Sequence, residues 1–262
     1  MTFRNEVWRC LGKYADNGLR NFVKTFFMKL HQLLSLVVLI LSTSVSVAQN
    51  CEGYLSFQKG TKMQYIMTDR KGKQSGMLEY AINDVVKSDG GITADINSRF
   101  ADEKGKELSS GHFTITCNGD GLVMDMRSLL SDQALAGFKD MTATVQGGNM
   151  EIPFGAAVGS TLPDAMMHME LSSSGSVMSV IDMKITNRKV LAKEDITTPA
   201  GTFSCIKIGY DNEMKMTTMG IGIPVNTHSE TWFSKKVGTV RSDTYSKDMK
   251  PAGNMVLSSI TQ

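Results

Sequence analysis

Asp69-Arg-Lys-Gly-Lys-Gln74 returns, almost letter for letter, as Asp102-Glu-Lys-Gly-Lys-Glu107. In each copy the glycine supplies the positive φ of a tight hairpin connection, and the charges around it suit a solvated loop tip that keeps sheet edges from pairing with other chains. Working outward from these turns, short runs rich in β-branched and aromatic residues recur between Gly, Asn and Asp signals, the pattern of successive antiparallel strands. The spacing predicts strands over Lys62–Thr68, Gly76–Lys87, Ile92–Ala101, Gly111–Cys117 and Leu122–Met126. A second group is predicted over Met141–Gln146, Met166–Ser172, Val177–Asn187, Lys189–Glu194, Phe203–Glu213, Val225–Phe233, Thr239–Ser246 and Met255–Ile260. One short helix is expected over Ser128–Phe138, where Leu129, Leu130, Leu135 and Phe138 share a face and Ser128 or Ser131 caps the amino end. Gly147, Gly148, Gly155 and Gly159 with Pro153 and Pro163 mark a loop-rich connection, too short to be an interdomain linker. The expected fold is therefore mainly β, a single antiparallel sheet in one domain.

At 41% hydrophobic and 21% charged residues, the 262-residue chain has ordinary globular composition. One segment departs from it. Leu33–Ala48 is an apolar run preceded by Lys29 and closed by Ser46-Val47-Ala48, the small-x-small pattern read by signal peptidase. A transmembrane anchor would need about 20 predominantly apolar residues, and this run is shorter and diluted by Ser42, Thr43, Ser44 and Ser46. The reading is a cleaved signal peptide over residues 28–48, opened by Met28-Lys29-Leu30-His31, with residues 1–27 as an upstream extension from a misassigned start and 49–262 as the exported domain. Cleavage after Ala48 leaves 22 basic and 24 acidic side chains, a net charge of −2, so the basic balance of the whole chain belongs to its leader. That balance carries no nucleic-acid footprint. Lipidation is disfavoured, because Cys51 follows Gln49-Asn50 and not a small residue.

Three cysteines remain beyond the leader, and an exported protein folds where thiols oxidise, so one disulfide and one leftover thiol are expected. The spacing does not fix the pairing; Cys51 with Cys117 is the expected one, because alternation within Phe203-Ser-Cys-Ile-Lys-Ile208 puts Cys205 on the inward side, where it can serve as a small buried hydrophobe.

Catalytic signatures are missing from the sequence. His112, His168 and His228 each lack a second ligand at zinc-like spacing, and no CxxC, HExxH or G-x-S-x-G occurs. Methionine is the anomaly, with 19 in the chain and clusters at Met166-Met167-His168-Met169 and at Met214, Met216 and Met219. Thioethers beside an imidazole suit Cu(I). The same spacing also places Met167 with Met169, and Met214 with Met216, on one side of a strand, which is how flexible side chains pack a core or line an adaptable apolar surface. No cofactor is expected.

Ile185-Thr-Asn-Arg-Lys-Val190, followed by Ile196-Thr-Thr-Pro-Ala-Gly-Thr-Phe-Ser-Cys205-Ile-Lys-Ile208, resembles the TapB-like exported proteins of Gram-negative bacteria. Further features agree in order: Cys51 soon after the leader, the two Lys-Gly-Lys turns, Val158-Gly159 with Leu162-Pro-Asp-Ala165, and Trp232 ahead of Val237-Gly-Thr-Val240. The resemblance implies a curved, half-barrel-like antiparallel sheet and carries no functional residues with it. Lys247-Asp-Met-Lys-Pro251 stands where the family has a further Lys-Gly-Lys hairpin, which leaves the last hairpin's geometry open. The expected function is that of a non-enzymatic envelope protein, periplasmic or secreted, binding an apolar ligand such as a lipid, or a protein partner, on a concave sheet face. Periplasmic Cu(I) binding by the methionine clusters and hydrolysis at an unrecognised site are the alternatives.

Overall fold

The computed structural model describes Cys51 and residues 57–88, 91–126, 141–218 and 220–262. The leader, the upstream extension, the Ser128–Phe138 helix and Met219 lie outside the described residues.

Among the described residues thirteen antiparallel strands form one sheet. In chain order they are β1 (Lys62–Asp69), β2 (Gln74–Ser88), β3 (Gly91–Asp102), β4 (Glu107–Cys117), β5 (Gly121–Asp125), β6 (Thr142–Gly147), β7 (Asn149–Pro153), β8 (Ala165–Ser173), β9 (Ser176–Thr198), β10 (Gly201–Thr218), β11 (Ile221–Ser234), β12 (Gly238–Ser246) and β13 (Pro251–Thr261). Their order across the sheet is β6-β8-β9-β10-β11-β12-β13-β1-β2-β3-β4-β5-β7. Most of this is a meander of hairpins, as the repeated turns predict. The centre is not local, because β1 pairs with β13 from Lys62 against Thr261 to Asp69 against Gly253.

The two sheet edges, β6 and β7, are joined in sequence by Gly148 alone. A one-residue link between opposite edges forces the sheet to curl until they meet, and it is nearly closed into a barrel-like shape. The crossing demands glycine: Gly147 and Gly148 have φ of 75° and 124°, and a Cβ at Gly147 would stand 2.4 Å from the carbonyl oxygen of Met166.

Two expectations change. The predicted strands Val177–Asn187 and Lys189–Glu194 are one continuous β9, and the apparent break is a bulge at which Asn187 takes φ 54° and the ladder with β10 slips opposite Tyr210. Within the expected loop-rich connection, Asn149–Pro153 forms β7, because Met150 and Ile152 alternate inward between exposed Asn149 and Glu151. The glycines and prolines there punctuate a short strand and do not replace it.

Alternation builds the core. Met63 and Tyr65 on β1, Ile92, Ala94 and Ile96 on β3, and Ala165, Met167, Met169 and Leu171 on β8 are all buried. Tyr65, Tyr80 and Phe113 run edge to face across four strands, and the Tyr65 hydroxyl donates to the carbonyl of Thr239 at 3.0 Å. Cys51 and Cys117 form a disulfide with Cα atoms 6.0 Å apart, while Cys205 is a buried free thiol, as the sequence predicts.

The last hairpin has the geometry of the first two. Asp69 N–H donates to the Lys73 carbonyl and Gly72 N–H to the Asp69 carbonyl; Ser246 N–H likewise donates to Lys250 and Met249 N–H to Ser246. Met249 thus occupies the glycine position, at φ 58°, where a side chain is strained. Replacing it by glycine is expected to raise stability by about 1 kcal/mol. A urea midpoint that moves up at constant m-value is the expected readout; an unchanged or lower midpoint would mean that the turn has absorbed the strain.

Candidate functional site

Strand alternation divides the first methionine cluster. Met167 and Met169 are buried on the inner face, whereas Met166 is exposed beside His168 on the outer one. Cross-strand register then aligns Met167, Met183, Met214 and Val225 in one row and Val145, Met169, Ile181, Met216 and Ile223 in the next. Five methionines therefore share one face, as core packing requires. The set Met166, Met167, His168 and Met169 is not brought to one side. Along both rows burial fades, ending at Val225 and at Ile223, which is 70% exposed.

The histidines are committed to carboxylates. His168 has Asp182 at 2.7 Å from Nδ1 and Glu170 at 3.3 Å from Nε2, so hydrogen bonds to Asp182 first and Glu170 second hold its pKa above the usual value. His112 pairs with Asp95 and His228 with Asp211, each at 2.7 Å. Among the described residues no serine or cysteine is hydrogen-bonded to a histidine ring, so the geometry assembles no nucleophile–base pair. Burial pushes the Cys205 thiol up to about 12, which keeps it a thiol at neutral pH. No group of His, Cys, Asp or Glu among the described residues could hold a metal ion.

Inside the sheet, between Tyr65, Tyr80, Ile96, Leu122 and Phe233, the free space is about 30 Å³. That is room for little more than a water. This part of the concave face is filled by the protein's own side chains. A wider cleft of about 440 Å³ lies near the β9–β10 turn. Lys193, Ile206 and Phe233 stand in register on β9, β10 and β11 as its back wall, and Phe154, beyond the end of β7, faces them. The rim carries Lys193, Lys235 and Lys236, with the Lys235 ammonium 6.0 Å from the centre of the Phe154 ring. Sequence reasoning missed this site, since its residues come from four separated segments and match no local motif.

One buried cation braces the seam behind it. Arg188, presented inward by the β9 bulge and only 2% exposed, donates to the carbonyl of Pro163 at 2.6 Å and to the carbonyl of Glu151 on β7. Burial lowers its pKa, opposed by Tyr210, Asp164 and Glu151, and a guanidinium stays charged regardless. The loop after β7 docks on the same stretch, with Leu162 N–H donating to the Arg188 carbonyl and Val190 N–H to the Ser160 carbonyl.

The DUF3108-like family matches residues 58–257, from the turn before β1 to well into β13. The chain belongs to the DUF3108-like family. Two solved structures share the fold. One, a Bacteroides fragilis protein described as exported and of YmcC-like fold, is 23% identical with a TM-score of 0.62, over 80% of this chain and 99% of that one. The other, described as a lipoprotein of Parabacteroides distasonis, is 20% identical with a TM-score of 0.63 over the same shares. At these identities the likeness shows the architecture alone. No curated protein matches the chain. Among the described residues of this DUF3108-like chain, no helix is long and apolar enough to cross a membrane.

Proposed function

We propose that this DUF3108-like protein is a non-enzymatic exported protein of the Gram-negative envelope that binds a ligand with an apolar body in the cleft between Phe154, Ile206 and Phe233. Export is supported by the leader over residues 28–48, by the description of two structural neighbours as exported or lipoprotein, and by a disulfide, which persists in oxidising compartments. The TapB-like resemblance points the same way. The observation that carries the binding reading is a cleft of about 440 Å³ walled by Phe154, Ile206 and Phe233 beside a closed sheet interior; the depression of about 380 Å³ around Glu79, Arg99 and His112 has no such apolar wall.

Protein purified from the periplasm of a Gram-negative host is expected to show, by native mass spectrometry, an added mass that organic extraction removes. Ser204→Trp, which puts an indole into the cleft from an exposed position, is expected to abolish it. A wild-type protein that stays apo when offered envelope lipids would sink the ligand reading.

A second reading, a protein partner, is favoured by the far end of β10–β11. Residues 221–226 of β11 pair with β10 only, since the ladder to β12 begins at Thr227, and Ile221 and Ile223 stand 73% and 70% exposed. An extended peptide could add there as a further strand, with Pro224 removing one donor from the edge.

A further inference from the structure

Three lysines line one cleft with an aromatic and aliphatic floor, and none of them has a carboxylate partner among the described residues. Lys193 comes from β9, and Lys235 and Lys236 from the β11–β12 turn; all three are exposed, and among the described residues no carboxylate pairs with any of them. The acidic side chains nearby are otherwise engaged or outside. Glu194 accepts from Trp232 Nε1 at 2.7 Å, Glu230 pairs with Lys207 at 2.7 Å, and Asp195, opposite Ser204 on the neighbouring strand, is exposed and pairs with none of the three lysines. No carboxylate lines the cleft.

Some exposed lysines elsewhere find acids, Lys59 with Asp84, Lys73 with Glu103 and Lys184 with Glu213, while others such as Lys62, Lys189 and Lys215 have no ion pair among the described residues; what sets the cleft apart is that three lysines line one opening that no carboxylate lines. Unpaired like charges repel one another, and a site that gathers them above an aromatic floor gains when an anion neutralises them. Thr202 and Ser204 line the same cleft; the Thr202 hydroxyl is 3.0 Å from that of Thr197, and the Ser204 hydroxyl adds a hydrogen-bond donor for an oxygen acceptor. Phe154, Ile206 and Phe233 offer nothing to an oxyanion and suit a hydrocarbon or aryl body.

From this juxtaposition we infer that the cleft takes an anionic amphiphile, an oxyanion head held by Lys193, Lys235 and Lys236 with its apolar body against Phe154, Ile206 and Phe233. The inference rests on the apolar-ligand reading above and adds the head group. A carboxylate of a free acyl chain and a phosphate of a lipid head share this chemistry.

Titration calorimetry on the purified, delipidated protein with dodecanoate, dodecyl phosphate, dodecanol and inorganic phosphate tests it. At least one of the two anionic amphiphiles is expected to bind tenfold or more tightly than dodecanol, with affinity falling as salt rises. The tighter of the two names the head group. The triple variant Lys193→Ala, Lys235→Ala, Lys236→Ala changes only exposed side chains, so it is expected to fold and to lose that preference while still binding dodecanol. Equal binding of dodecanol and the anionic amphiphiles would overturn the head-group inference and leave the apolar-ligand reading standing. Inorganic phosphate binding as tightly as dodecyl phosphate would show an anion site with no role for the apolar wall. No binding of any amphiphile would remove both.

Discussion

Replacing Cys51 and Cys117 together by alanine is expected to lower the melting temperature by about 10 °C. The bridge closes a loop with a sequence separation of 66 residues, and the entropy it removes from the unfolded chain is worth about 4 kcal/mol. For a domain of this size each kcal/mol moves the midpoint by about 2–4 °C. Both cysteines are fully buried, so deleting their sulfurs adds a packing loss to the entropic one. The bridge also ties Cys51, ahead of β1, to the end of β4. Calorimetry of the wild type under strong reductant should show the entropic part of the downward shift, and the double variant a somewhat larger one. A double variant that melts with the oxidised wild type would show that the packing around β4 holds that end without the bond.

Arg188→Ala is expected to cost about 3–5 kcal/mol, as for truncating a large core side chain. Three contributions combine. The side chain is among the largest fully buried ones, so its stem leaves a cavity. Its guanidinium holds the carbonyls of Pro163 and Glu151, and charged hydrogen bonds contribute about 1.5–3 kcal/mol each. Against these stands the relief of desolvating one charge fewer, which is why the total stays below the sum. Arg188→Met keeps most of the stem and gives up only the bonds, so it is expected to fall between wild type and alanine. The loss should be local as well as global. Hydrogen exchange at the amides of Leu162 and Val190, which tie the loop after β7 to β9, should accelerate in both variants. Unchanged exchange there, with a wild-type melting point, would show that the seam does not depend on this residue.

The contrast between what was readable beforehand and what was not follows the range of the interactions. Strand residues such as Met63, Tyr65, Met167 and Met169 declare their faces by alternation, and the Asp-x-Lys-Gly-Lys turns declare their hairpins, because both signals are local. The spacing of the cysteines did not fix their pairing; only the strand pattern around Cys205 favoured Cys51 with Cys117, the pair that the structure joins. By contrast, Arg188 lies among Lys184, Asn187 and Lys189, where a third basic residue reads as solvated surface. Only the bulge, a departure from regular pairing with Tyr210 across the ladder, turns it inward. The partners of His112, His168 and His228 sit on neighbouring strands, and register is not written in any one strand. The cleft has the same difficulty in a stronger form, since Phe154, Lys193, Ile206 and Lys235 meet only when β7, β9, β10 and β11 are all in place.

The pairing of β1 with β13 also governs the order of assembly. Hairpins β2–β3, β3–β4 and β10–β11 close over short loops and can form as soon as their residues are available. β1 finds β2 early, but its other side must wait for the final strand of the chain. A polypeptide emerging amino end first therefore carries an open, hydrogen-bond-hungry strand in the middle of its future sheet until β13 has been made. Such a strand is the place where a nascent molecule is most easily captured by a neighbour or by a chaperone. Shortening the chain by its last dozen residues would strand the molecule permanently in that half-built condition, however intact the other twelve strands remained.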